Sequence, residues 1–261
     1  MLPRLVVSGI ALILGSAAAP AQTASPLDRV VPAPPVVRQS DPSLTPEMRG
    51  DIFMARKMYR EAIDSFHEGS ANDPVLWNKA GIAYHQLQQL GNAKKSYEQA
   101  LKLKKDYVEA INNLGTVYYA EKSYRRAISW YKKALKLAPN DPKSASIYMN
   151  LGTAYFARKK YEDATKTYQL ALSLDPEVFE RHGNYGVLLQ ERTVEERAKY
   201  HFYVAKLYAK DGRNDLAIQY LRKALEEGFK EKKHLEETPE FAGLKNMPEF
   251  KELLNREPRV L

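Results

Sequence analysis

Glycine recurs inside apolar helical stretches of this chain at one fixed phase, and no other feature restricts the fold as strongly. One copy reads Ile111-x2-Leu114-Gly115-x2-Tyr118, then Tyr124-x2-Ala127-x3-Tyr131-x2-Ala134, and closes at Pro139. The next reads Tyr148-x2-Leu151-Gly152-x2-Tyr155, then Tyr161-x2-Ala164-x3-Tyr168-x2-Ala171, and closes at Pro176. Upstream, Trp77-x2-Ala80-Gly81-x2-Tyr84 is followed by Ala93-x3-Tyr97-x2-Ala100. From residue 45 onward apolar residues recur at three and four, with no strand-like alternation, so each copy is two helices. A glycine within a helix costs ~1 kcal/mol relative to alanine. Three of them at one phase need an offset, and close approach of the paired helix supplies it. Gly81, Gly115 and Gly152 are therefore expected to cross the second helix at its small residues Ala93, Ala127 and Ala164. The large residue four further on (Tyr97, Tyr131 or Tyr168) fills the groove beside them. Each hairpin leaves an apolar face that only the next hairpin covers.

Two weaker copies flank these three. Gly50, Phe53, Tyr59, Ala62, Phe66, Gly69 and Pro74 form a degenerate first one. His201, Val204, Ala205, Tyr208, Ala217, Leu221 and Ala224 form the last, with Ala205 in place of the signature glycine. Ten of the 17 tyrosines fall on three signature slots, so the tyrosine excess is structural. The small second-helix residues are 31, 34 and 37 apart up to Ala164, then 53 apart up to Ala217, which leaves residues 179–197 as an interruption. This pattern resembles that of the tetratricopeptide repeat (TPR) family. The likeness implies an all-α, right-handed α-solenoid of helix-turn-helix repeats, with repeats 1–4 over 45–178 and repeat 5 over 198–231. Within the interruption, His182-Gly183-Asn184-Tyr185-Gly186 precedes Leu188 and Leu189. It is read as a flexible insertion packed on the array through those leucines, the alternative being a functional loop whose Gly, Asn, His and Tyr form a contact surface. Thr193 with Glu196 three later is a capping box that opens the next helix. Residues 232–261 repeat a Pro-Glu-Phe element, Pro239-Glu240-Phe241-x2-Leu244 and Pro248-Glu249-Phe250-x2-Leu253. Each proline suits a first helical turn, and the two short helices are expected to cap the open end of the last repeat.

The N-terminus carries an address. Arg4 precedes a largely apolar run from Leu5 to Leu14, and Ala19-Pro20-Ala21 has the form that signal peptidase reads, so 1–21 is expected to be a secretory signal. The run is shorter than the ~20 residues that span a bilayer. Residues 22–44 hold Pro26, Pro32, Pro34, Pro35 and Pro42, the composition of an extended, semi-rigid spacer. An exported chain with 0 cysteines suits a bacterial periplasm or cell envelope, or secretion. Without cysteine there is no disulfide, thiolate metal site or cysteine nucleophile.

Chemistry is sparse. The five histidines include no i, i+4 pair, and neither a nucleophile elbow nor a phosphate-binding loop occurs. His201 has Arg197 one turn earlier and is read as a solvated surface histidine. Asp211-Gly212-Arg213-Asn214-Asp215 lacks the frame of a calcium loop and falls at a turn between helices. We expect no catalytic residue, metal or cofactor, and no small-molecule substrate.

The remaining candidate is surface. In TPR arrays the first helices line a concave groove that holds an extended peptide or partner helix. Two residues before the signature glycine stand Asn113 and Asn150. An asparagine in that slot hydrogen-bonds the backbone of a bound peptide in superhelical relatives, because one amide both donates and accepts. Lys79 and Tyr203 fill the slot elsewhere. Neighbouring groove slots hold Asn78, Asn112 and Met149, then Thr116 and Thr153, then His85, Tyr119 and Phe156, with Tyr119 and Phe156 as aromatic anchors. The competing reading assigns these asparagines to neighbouring helices. The expected partner is another protein or peptide, in an envelope assembly.

Net charge is +8, and it is uneven. Between Lys94 and Leu137 there are eleven Lys and Arg against four Asp and Glu. Lys94, Lys95, Arg125, Arg126, Lys132 and Lys133 lie on second helices, away from the groove. The default reading is a solvated face. The alternative is a second function class, binding of a polyanion such as anionic lipid, envelope polysaccharide or an acidic protein, nucleic acid being disfavoured by the export signal.

Overall fold

A computed structural model of the chain describes residues 44–180, 193–230 and 232–255. The expected signal (1–21), nearly all of the spacer and the centre of the interruption, with Leu188 and Leu189, lie outside the described residues.

The described part is built from helical hairpins. Their first and second helices are α1 (Pro46–Ala55) with α2 (Tyr59–His67), α3 (Pro74–Gln86) with α4 (Leu90–Leu103), and α5 (Val108–Ala120) with α6 (Tyr124–Leu137). Then come α7 (Ala145–Ala157) with α8 (Tyr161–Leu174), and α9 (Val194–Lys210) with α10 (Asn214–Glu226). Each helix packs on its hairpin partner and on the next element in order, the arrangement of an α-solenoid. Thr45 and Asp73 cap α1 and α3 through their side chains, and each is followed by a proline in the first turn.

The turn inside every hairpin is the same. A single residue with left-handed backbone ends the first helix: Lys57, Gln88, Lys122 and Lys159, with φ near 60°, and Gly212 with φ 76°. The following N–H then reaches back to a carbonyl five residues earlier, as from Ser123 to Tyr118 at 2.8 Å and from Arg213 to Tyr208 at 2.9 Å. This closure satisfies carbonyls that the helix end leaves open.

The seam inside each hairpin is close, as expected, but its partner differs. The space a Cβ would need at Gly81, Gly115 or Gly152 is taken by the ring of Tyr97, Tyr131 or Tyr168, at 2.5–2.7 Å. The alanines Ala93, Ala127 and Ala164 are fully buried beside it. So the glycine makes room for the aromatic ring one turn further along the second helix, rather than for an alanine crossing. Gly50 and Phe66 repeat the relation in the first hairpin. In the last hairpin Ala205 and Leu221 replace glycine and ring together, and both are fully buried.

The capping box is present: Thr193 and Glu196 exchange side-chain and backbone hydrogen bonds. Helix α9 therefore starts at Val194, so its first turn is formed by the last four residues of the span 179–197. Packing is continuous across the interruption, because Phe179 lies edge-on to Tyr168 and Tyr208, and Tyr168 also meets Tyr200. The C-terminal segment continues with α11 (Lys232–Glu237), a 3₁₀ turn (Pro239–Leu244) and α12 (Pro248–Asn255). Phe241, Leu244, Phe250 and Leu253 are buried, and Phe241 meets Phe202 of α9 at 5.7 Å. They close the open end of the array, with the first of the two expected helices formed as a 3₁₀ turn.

Candidate binding groove on the first helices

Four asparagines on three successive first helices are joined into one chain. Asn150 Nδ2 donates to Asn112 Oδ1 at 3.1 Å, Asn112 Nδ2 to Asn113 Oδ1 at 3.3 Å, and Asn113 Nδ2 to Asn78 Oδ1 at 3.0 Å. Asn78, Asn112 and Asn150 are buried and Asn113 is half-buried. The amides thus tie α3, α5 and α7 together, and one donor and one lone pair of Asn113 are surplus to the chain. Asn150 Oδ1 ends the series, buried without a hydrogen-bond partner among the described residues. In the preceding repeat, Lys79 fills the slot and pairs with Glu47 and Asp51 of α1 at 2.8 and 2.6 Å. Burial draws the Lys79 ammonium down, but the hydrogen bonds to Asp51 and Glu47 outweigh it and hold its pKa above the ordinary value.

Thr116 and Thr153 serve the hairpin seam. The Tyr131 hydroxyl donates to Thr116 Oγ1 at 3.4 Å, and the Tyr168 hydroxyl lies 3.1 Å from Thr153 Oγ1. A ring driven into the glycine notch brings its hydroxyl inside, and the threonine one residue after that glycine satisfies it. Burial pushes the pKa of Tyr131 and of Tyr97 far up.

Tyr119 and Phe156 are both about 5% exposed. Tyr124 lies against Tyr119 at 5.1 Å, and Tyr161, Tyr200 and Tyr203 surround Phe156 at 5.1–5.9 Å. The rings that reach the surface here are Tyr124, Tyr161 and Tyr203, all half-buried, and the last two are stacked at 5.0 Å with planes 16° apart. Lys199 lies over Tyr161 at 4.7 Å and Lys206 over Tyr203 at 5.8 Å. Tyr203 stands in the slot that Asn113 and Asn150 fill, so the inner row runs lysine, asparagine, asparagine, tyrosine. The sequence marked Tyr203 only as a break in the asparagine ladder, and Tyr161 only as a signature tyrosine.

His201 is not solvated. Its Nδ1 lies 2.9 Å from Glu227 Oε2 on the segment after α10, and Arg197 Nε donates to the other oxygen of that carboxylate at 3.2 Å. The partner lies 26 residues further along the chain, just past the end of the following helix, so nothing on the helix of His201 itself marks the pair. Burial lowers the His201 pKa and Glu227 opposes that; burial also lowers His85, whose Nε2 has no hydrogen-bond partner among the described residues. Among the described residues no group of three His, Cys, Asp or Glu could hold a metal ion.

The basic residues fall on the second helices as expected. Lys95, Arg125, Arg126, Lys132 and Lys133 are exposed and Lys94 half-buried.

Profiles of the tetratricopeptide repeat match residues 81–122, 107–177 and 198–227. Among curated proteins, the chain is 41% identical over 66 residues to an uncharacterized protein of Pyropia yezoensis, ycf37, covering 25% of this chain and 37% of that one. It is 28% identical over 113 residues to the tetratricopeptide repeat domain-containing protein PYG7, chloroplastic, of Arabidopsis thaliana, covering 40% and 38%. The chain thus spans less than two thirds of the length of these relatives. Among solved structures, MamA is similar with a TM-score of 0.46 at 21% identity, covering 70% of this chain and 96% of that one. With glycine notches, hairpins and profiles in one register, this chain is a tetratricopeptide repeat protein.

Proposed function

We propose that this chain is a non-enzymatic interaction module that holds a segment of another protein along its first helices. The observation that carries this reading is the half-buried Tyr161–Tyr203 stack, flanked by Lys199 and Lys206. Large rigid rings give much contact area for little ordering entropy, and they anchor most tight interfaces. The slot row supports the same reading: Asn113 leads towards Tyr203 and keeps a surplus donor and acceptor for a partner's backbone. Buried Asn78, Asn112, Asn150, Thr153, Tyr119 and Phe156 hold this surface in shape, and Thr116 borders it. The envelope setting rests on the N-terminal signal pattern.

The test is retention of a partner from envelope extract by the full chain, followed by binding measurements on that partner. Tyr203→Ala is expected to weaken binding by on the order of 30-fold, as for an interface anchor, and Asn113→Ala by less. Arg125→Glu with Arg126→Glu leaves it unchanged. A partner that binds Tyr203→Ala and wild type equally rejects the groove.

A further inference from the structure

Helix α6 carries five cations, Arg125, Arg126, Lys132, Lys133 and Lys136, and no acidic residue. Folding does not ask for this. Arg125 and Arg126 sit in the first turn, where the helix dipole disfavours cations, and Lys132 and Lys136 repel one another at i, i+4. None of the five is in an ion pair among the described residues.

The cations do not stand alone. Arg126, Trp130, Lys133 and Leu137 follow one another at four, three and four residues and form one outward stripe; Arg125, Lys132 and Lys136 form the stripe beside it. Lys133 lies over the Trp130 ring at 4.9 Å, while Lys94 and Arg126 lie over Tyr118 at 5.0 and 5.7 Å. Tyr118 stacks on Trp130 at 6.3 Å. Leu137 is 47% exposed. In the slots equivalent to Leu137 and Lys133 on the neighbouring second helices stand Leu103 and Leu170, 37% and 50% exposed.

We propose that this second-helix face docks on the anionic surface of a phospholipid bilayer. The cations meet headgroup phosphates, while Trp130, Leu137, Leu103 and Leu170 enter the boundary between headgroups and acyl chains. A soluble polyanion would be met by the cations alone. Leucines exposed among lysines gain only where an apolar phase lies behind the charge, and tryptophan beside lysine is the composition of membrane interfaces. Among the described residues no helix is long and apolar enough to cross a membrane, so the contact is peripheral. The face is separate from the Tyr161–Tyr203 surface, and its failure leaves the groove reading untouched.

The test is co-sedimentation of the full chain with vesicles of phosphatidylcholine, alone or with one third phosphatidylglycerol. All variants keep residues 1–44, so any binding by the apolar N-terminus is common to them. Binding is expected on the anionic vesicles, weakened by salt. Reversing Arg125, Arg126, Lys132 and Lys133 to Glu should lower it by on the order of 100-fold or more, since each cation near such a surface contributes about 1 kcal/mol. Leu137→Ser, which removes no charge, should lower it further than it lowers binding to heparin. In a Trp77→Phe background, Trp130 emission should shift to the blue on anionic vesicles only. Equal binding to both vesicle types, or wild-type binding by the charge-reversed chain, overturns the proposal. Heparin binding with no effect of Leu137→Ser on vesicles assigns the face to soluble polyanions and also overturns it.

Discussion

Tyr131 occupies the space that a Cβ on Gly115 would need: the ring Cε1 lies 2.7 Å from that position. Glycine and ring are one unit, and the chain shows it by exchanging both at once in the last repeat, where Ala205 faces Leu221. Gly115→Ala should therefore destabilise the array, although alanine is the better helix former. Overpacking costs ~1–3 kcal/mol against ~1 kcal/mol of propensity gained. Adding Tyr131→Leu should recover part of the loss, with a coupling of about 0.5–3 kcal/mol in urea unfolding. Strict additivity of the two changes would separate the pair.

The left-handed residue in each turn gives a second expectation. Lys122 holds φ 58° where the last repeat places Gly212 at φ 76°. A side chain there costs ~1–2 kcal/mol relative to glycine, and glycine is freer when unfolded. Lys122→Gly should raise the melting temperature modestly and Gly212→Lys should lower it. A fall for Lys122→Gly would mean that the lysine makes a stabilising contact on that surface.

Much of this could be read from the sequence, because backbone spacing and close approach leave marks on residue type. Glycine phase, the Thr193–Glu196 capping box and the inward Phe241, Leu244, Phe250 and Leu253 fall on helix periodicity alone. What the asparagines do could not be read so. Asn112 and Asn113 are adjacent and point about 100° apart on a helix, so their partners depend on how α3, α5 and α7 are rotated against one another. Thr116 and Thr153 likewise gain their role only once the tyrosine rings have entered the glycine notches. His201 meets Glu227 through the fold of a hairpin, which no local pattern records.

Acid should weaken the fold through His85 and His201. Burial holds both below the ordinary value of 6.5, with Glu227 opposing at His201. As pH falls past 6.5 the unfolded chain takes up these protons and the folded chain does so only at lower pH. Stability present above pH 6.5 is then lost as pH falls through the folded values. His85→Phe, which places in α3 the residue found at Phe156, should lessen the drop in urea midpoint between pH 7.5 and 5.5. An unchanged drop would assign it to other groups.

The most direct measurement places a photo-crosslinking phenylalanine derivative at position 203 of the full chain, and in a second protein at the exposed Gln219 on α10. After irradiation in envelope extract, position 203 is expected to give a discrete adduct with one protein and position 219 none. No adduct at 203, or the same set from both positions, would contradict a guest held on the first helices.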